Sequence, residues 1–300
     1  MTYDARMTSH EPLPEARLNH VQCLGARGLH RMAYWEWGDS ANPRVLVCVH
    51  GLARQARDFD TLARALSAEY RVVCPDVVGR GRSDWLADPA GYQIPAYVAD
   101  MVSLLARLDA QTLHWVGTSM GGLIGLGLAS LPESPIDRLV LNDVGPTIQF
   151  EALVRIGSYL GQPLRWNTLD EAADYLHGIS ASFGPHTRAQ WLALSRPMLK
   201  ADGDGFKLHY DPAIAQPFKA ITPQLAAAGE AMTWAAYDAV RCPTLLLRGA
   251  ESDLLTRATA QAMTQRGPKA RLHEFAGVGH APTLVADDQV AVVREFLLGP

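Results

Sequence analysis

Three hundred residues, 48% hydrophobic and 19% charged, describe a globular chain with a sizeable core rather than a disordered or fibrous one. The net charge is −4 and no basic block stands out, which argues against nucleic acid or an anionic membrane as partner. No apolar run approaches the ~20 residues of a membrane span, and residues 1–20 lack the apolar segment of a secretory signal, so a cytoplasmic protein is expected.

Residues 1–20 read as a loose arm. A strand-like hairpin follows over 23–38, with Leu29, Met32, Tyr34 and Trp35 around Gly28. Residues 44–50 (RVLVCVH) form a near-continuous apolar run, the pattern of a strand covered on both faces in a parallel sheet. Phe59, Leu62, Ala63 and Leu66 recur at helical spacing, 71–75 is another strand, and 94–108 is a helix with Met101, Leu105 and Leu108 on one side. Strands at 113–116 and 138–142 bracket a small-and-apolar helix over 121–131. From about 146 to 236 only helical patterns and loops are legible (150–160, 169–182, 187–195), followed by a polar stretch at 200–217. Strand and helix then alternate again at 244–248, 258–265, 270–275 and 290–298.

This alternation predicts an α/β protein, a mostly parallel sheet flanked by helices, with a helical insertion. The expected division is an arm (1–20), an α/β core (21–145 and 237–300) and a helical lid (146–236). Cys23, Cys48, Cys74 and Cys242 show no metal-ligand spacing and read as free buried thiols of a reducing compartment. His177, His186 and His209 show none either. Neither a metal nor a cofactor is expected, and the expected partner is a small molecule.

Chemistry concentrates at Gly117-Thr118-Ser119-Met120-Gly121, a G-x-S-x-G pattern between a predicted strand and a predicted helix. A strand turning sharply into a helix crowds the central residue, so side chains at 117 and 121 would collide. The strained turn pushes the Ser119 hydroxyl clear of the fold. A serine hydroxyl attacks only when a base removes its proton and a third group orients that base. Downstream, His280 follows the last strand within Gly-Val-Gly-His-Ala-Pro, and Asp253 leaves the end of the strand at 244–248. Asp143, at the end of the strand before it, is the competing acid. Asp253 is the expected partner of His280, and Asp143 is expected to be structural. A tetrahedral intermediate needs aimed N–H donors, for which Leu52 in the loop after His50-Gly51 and Met120 after the nucleophile are the candidates.

Taken in order, these landmarks make the chain resemble an α/β-hydrolase-fold enzyme. His50-Gly51 resembles the oxyanion loop of that family, and residues 76–84 (DVVGRGRSD) resemble its D-x-x-G-x-G-x-S segment. Ser119, Asp253 and His280 fall on its nucleophile, acid and base positions, and the resemblance implies a cap where residues 146–236 lie. Serine at the elbow disfavours the branches whose nucleophile is aspartate. The implied activity is cofactor-free hydrolysis of small or medium carboxylic esters through an acyl-enzyme. Carbon–carbon hydrolysis of ring-fission products, lactonase or acyltransferase chemistry, and ligand sensing with slow turnover are the alternatives.

Overall fold

The computed structural model describes residues 15–299. Its first half comprises β1 (Arg17–Gly25), β2 (Gly28–Trp37), β3 (Arg44–Val49), α1 (Asp60–Leu66), β4 (Arg71–Pro75), α2 (Ile94–Leu108), β5 (Thr112–Thr118), α3 (Met120–Ala129) and β6 (Ile136–Asn142). An insertion follows, with α4 (Phe150–Tyr159), β7 (Arg165–Trp166), α5 (Leu169–Ile179), α6 (Arg188–Ser195), β8 (Leu199–Asp202), β9 (Gly205–Leu208), α7 (Gln216–Lys219) and α8 (Pro223–Ala239). The chain then returns through β10 (Thr244–Gly249), α9 (Arg257–Met263), β11 (Arg271–Phe275) and α10 (Asp287–Leu298).

Eight strands form one sheet in the order β1-β2-β4-β3-β5-β6-β10-β11. The β1–β2 and β2–β4 pairs are antiparallel and all the others parallel. Alternate residues of each inner strand enter different cores. Val45, Val47, Trp115 and Leu139 pack on one face with α2 and α3, while Leu46, Cys48, Val116 and Val140 pack on the other with α1 and α10. That double coverage explains the unbroken apolar runs. Each such Val or Leu contributes ~1.5–3 kcal/mol by leaving water.

β10 pairs directly with β6, so the residues between them loop out of the sheet. Two expectations fail in this insertion. The polar stretch at 200–217 is not loop alone: β8 and β9 form a hairpin, and with β7 a three-stranded sheet. The antiparallel strands are only two to four residues long and half-buried, too short for an alternating pattern to stand out. α8 also escaped the sequence reading. It buries only Tyr237 and carries many alanines, so it has no apolar stripe to detect.

The expected arm is shortened too. β1 begins at Arg17 and pairs along its length with β2, and residues 1–14 of the arm lie outside the described residues. All four cysteines are free thiols, three of them buried. Among the described residues no helix is long and apolar enough to cross a membrane.

Candidate active site

Ser119 sits between β5 and α3 with φ 52° and ψ −116°. That is left-handed backbone, costing a non-glycine residue ~1–3 kcal/mol. Surrounding contacts over-determine it. The Ser119 N–H donates to the Asn142 carbonyl (3.0 Å), and the Ser119 carbonyl accepts from Gly122 and Leu123. A Cβ at Gly117 would run into the Gly121 carbonyl, and one at Gly121 into the backbone of Val49. The turn therefore exists only with glycine at both places.

The half-buried hydroxyl lies 3.1 Å from His280 Nε2, and His280 Nδ1 lies 2.7 Å from Asp143 Oδ2. A carboxylate accepts only, so Nδ1 carries the proton and Nε2 presents its lone pair to the serine hydroxyl. Asp143 is fully buried and also takes the Gly249 N–H on Oδ1 (2.8 Å) and the Ser252 hydroxyl on Oδ2 (2.6 Å).

Asp253, the acid expected from the sequence, is not brought to His280. Its side chain is 56% exposed and paired with Arg155 of the insertion. The loop after β10 reaches the site through the preceding residue instead. Ser252 is buried, donates to Asp143, and accepts the N–H groups of Leu254 and Leu255. That arrangement turns Asp253 outward, away from the strand ends. Asp143 takes its place at the end of β6, with its own N–H held by the Leu247 carbonyl (2.8 Å).

Of the two expected amide donors, Met120 directly follows the serine and Leu52 lies in the loop after β3. Met120 opens α3, so its N–H has no carbonyl to meet within the helix. Leu52 follows Gly51, which backs onto Ser119 Cβ. His50 fixes the start of this loop. Its Nδ1–H donates to the Gly51 carbonyl (2.7 Å) and its Nε2 accepts the Val77 N–H (3.0 Å). Complete burial pushes the imidazole down to about 3, so it holds the loop as a neutral ring.

Sequence reasoning assigned no role to Arg80, although it lies in the D-x-x-G-x-G-x-S segment. Its side chain is fully buried, and Nε donates to the Leu52 carbonyl (2.9 Å). Nη1 donates to the Val78 carbonyl and the Tyr97 hydroxyl, while Nη2 lies 3.6 Å from Met120 Sδ. The faces of Tyr92 and Tyr97 pack against the guanidinium. One cation thus touches both residues expected to donate to an oxyanion. Its backbone also bridges to Tyr210 of the insertion. An arginine between two glycines at a strand end was the only available signal.

Residues of the insertion touch the loop that carries His280. The Ser182 hydroxyl donates to the His280 carbonyl (3.2 Å), and His186 meets Thr283 (2.8 Å). A cavity of about 30 Å³ remains between Arg54, Thr118, Phe183, Leu194 and Pro282. A larger apolar one of about 210 Å³ lies between Leu123, Ile148, Leu153, Ile221 and Leu225, one helical turn beyond Ser119.

The model of the alpha/beta hydrolase family matches residues 46–295. The chain is 56% identical over 287 residues to a 3-hydroxybutyrate-oligomer hydrolase of Cupriavidus necator, covering 94% of this chain and 98% of that one. It is 26% identical to the esterase YbfF of Escherichia coli, over 85% and 94% of the two chains. Among solved structures, an alpha/beta hydrolase from Novosphingobium aromaticivorans superposes with a TM-score of 0.82 at 35% identity, covering 96% and 99%. The chain belongs to the alpha/beta hydrolase family and is a carboxylesterase-like enzyme.

Proposed function

We propose that the chain hydrolyses short linear esters of 3-hydroxybutyrate through a serine acyl-enzyme. The observation that carries the chemistry is the continuous chain of hydrogen bonds from Ser119 through His280 to Asp143. The substrate class rests on the named activity of the 56% identical relative.

In this reading Ser119 Oγ attacks the ester carbonyl while His280 Nε2 takes its proton. Asp143 holds the ring in the Nδ1–H tautomer and stabilises the imidazolium that forms. The Leu52 and Met120 N–H groups take the charge on the tetrahedral oxygen, a contribution of ~2.7–4 kcal/mol per donor in comparable sites. Imidazolium returns the proton to the departing hydroxyl of the next 3-hydroxybutyrate unit. Water, activated by the same imidazole, then releases the acyl group and restores Ser119. Residues 146–236 act as a cap, and the apolar cavity against α3 receives the methyl-bearing acyl unit.

The test is a panel of 3-hydroxybutyrate dimer and trimer, p-nitrophenyl butyrate, a lactone and a ring-fission dienoate, run on wild type and Ser119→Ala. The oligomers should give the highest kcat/KM, with no turnover by the variant. A preference for the dienoate would move the reading to carbon–carbon hydrolysis. A single burst followed by a stall would make the protein a sensor.

A further inference from the structure

A separate cavity of the described residues lies away from Ser119. About 560 Å³ in volume, it lies between the β1–β2 turn, residues 84–88 and the start of α2, and shares no lining residue with the two cavities near the serine. His30 and Asp100 are part of its wall. Beside them, directly across the hairpin from His30, is Cys23.

These three side chains come from three elements, and one ligand-type atom from each lies within 4.8 Å of the other two. All three residues are buried, at 1%, 9% and 3% exposure for Cys23, His30 and Asp100. His30 Nε2 and Asp100 Oδ2 stand 3.1 Å apart. Two ligand atoms of a tetrahedral zinc site stand ~3.3–3.7 Å apart, so the pair already has nearly the required spacing. Among the described residues the other ring nitrogen, His30 Nδ1, is buried with no hydrogen-bond partner, and an ion on Nε2 leaves it so.

From this geometry we propose that Cys23, His30 and Asp100 form a binding site for one divalent transition-metal ion of the zinc class, with the fourth position open to the cavity. A thiolate, an imidazole and a carboxylate suit zinc and its neighbours, whereas calcium and magnesium require all-oxygen sets. The charges also close. A divalent ion with one thiolate, one carboxylate and a neutral imidazole is electrically neutral, so the site can exist beneath the sheet without an unpaired charge. Burial holds the Cys23 thiol up to about 12 without an ion, so the cysteine is no free nucleophile there. Binding releases the thiol proton, as any thiolate site must. The ion would tie the β1–β2 hairpin to α2, away from the serine centre.

Sequence spacing hid this set because no two of its ligands are close on one helix or in one loop. The cysteine-spacing argument reads only local patterns.

The experiment titrates the full-length protein with Co(II) alone and follows the thiolate-to-cobalt charge-transfer band. The expected result is saturation at one equivalent, competition by Zn(II), and a rise in Tm on binding. Cys23→Ser should remove the band, and His30→Ala or Asp100→Asn should each weaken binding at least ~10-fold. Cys242→Ser is the control that should leave it unchanged. Circular dichroism shows that each variant is folded, and a wild type without the band overturns the proposal on its own. Millimolar binding, or a band surviving in folded Cys23→Ser, overturns it equally.

Discussion

Replacing Asp143 by asparagine separates the two aspartates that compete for His280. The native carboxylate accepts from His280 Nδ1, Ser252 Oγ and the Gly249 N–H. An asparagine can keep the Gly249 bond through its carbonyl oxygen, but its amide then points donors at two donors. The imidazole escapes that clash by moving its proton to Nε2, where it faces Ser119 and can no longer act as a base. In one well-characterised triad this tautomer change costs ~10⁴-fold in turnover, equivalent to ~5.5 kcal/mol in activation free energy. Asp253→Asn removes only an ion pair between side chains 56% and 55% exposed, worth ~0–1 kcal/mol, and should change turnover by less than about twofold. The assay is steady-state hydrolysis of p-nitrophenyl butyrate near neutral pH, with folding checked by circular dichroism. A nearly dead Asp253→Asn beside an active, folded Asp143→Asn would refute the assignment.

A fluorophosphonate probe should label Ser119, and Ser119→Ala should abolish labelling while leaving the melting curve in place; labelling that persists would put the nucleophile elsewhere. Arg80→Met should lower kcat by ~10–100-fold with KM little changed, because the Leu52 carbonyl loses its clamp and the oxyanion donor its aim. Boronate affinity should fall in parallel and Arg80→Lys should restore part of both, whereas a loss of Tm alone would leave Arg80 purely structural. Acid should destabilise the fold through His50, whose folded pKa of about 3 lies below the unfolded ~6.5. The unfolded chain then binds more protons, so stability is complete above pH ~6.5 and falls as pH drops, by ~2 kcal/mol at pH ~5. Urea melts at pH ~7.5 and ~5 should show a smaller loss in His50→Gln by about that amount, and equal losses would remove His50 from the account.

The strands around the elbow were legible because burial on both faces writes itself as unbroken apolar runs such as 44–50. The G-x-S-x-G turn was legible because its glycines answer a steric demand that no other residue meets. His280 stood out for the same reason, set among glycines and a proline at a strand end. The acid was a different problem. Asp143 and Asp253 both follow buried strands, and nothing local tells whether a carboxylate turns inward. That direction is set by Ser252, whose bonds to Asp143, Leu254 and Leu255 are long-range or depend on loop shape. Arg80 was invisible in role because its partners are carbonyls and ring faces gathered from four segments. The β8–β9 hairpin and α8 were missed because half-buried elements need no clean periodicity.

The pairing of β6 with β10 bears on how such a centre changes over evolutionary time. Neighbouring strands in a sheet lie ~4.8 Å apart, about one side-chain length. A carboxylate leaving either strand end can therefore reach the same edge of the same imidazole. A lineage can carry an acid at both places for a while, then lose either one, without the histidine or serine moving. In this chain the β10 loop turns its carboxylate, Asp253, outward and braces the neighbour's with the Ser252 hydroxyl. Aligned position is then a poor guide to the acid in relatives of this enzyme, and the distance to the imidazole a good one.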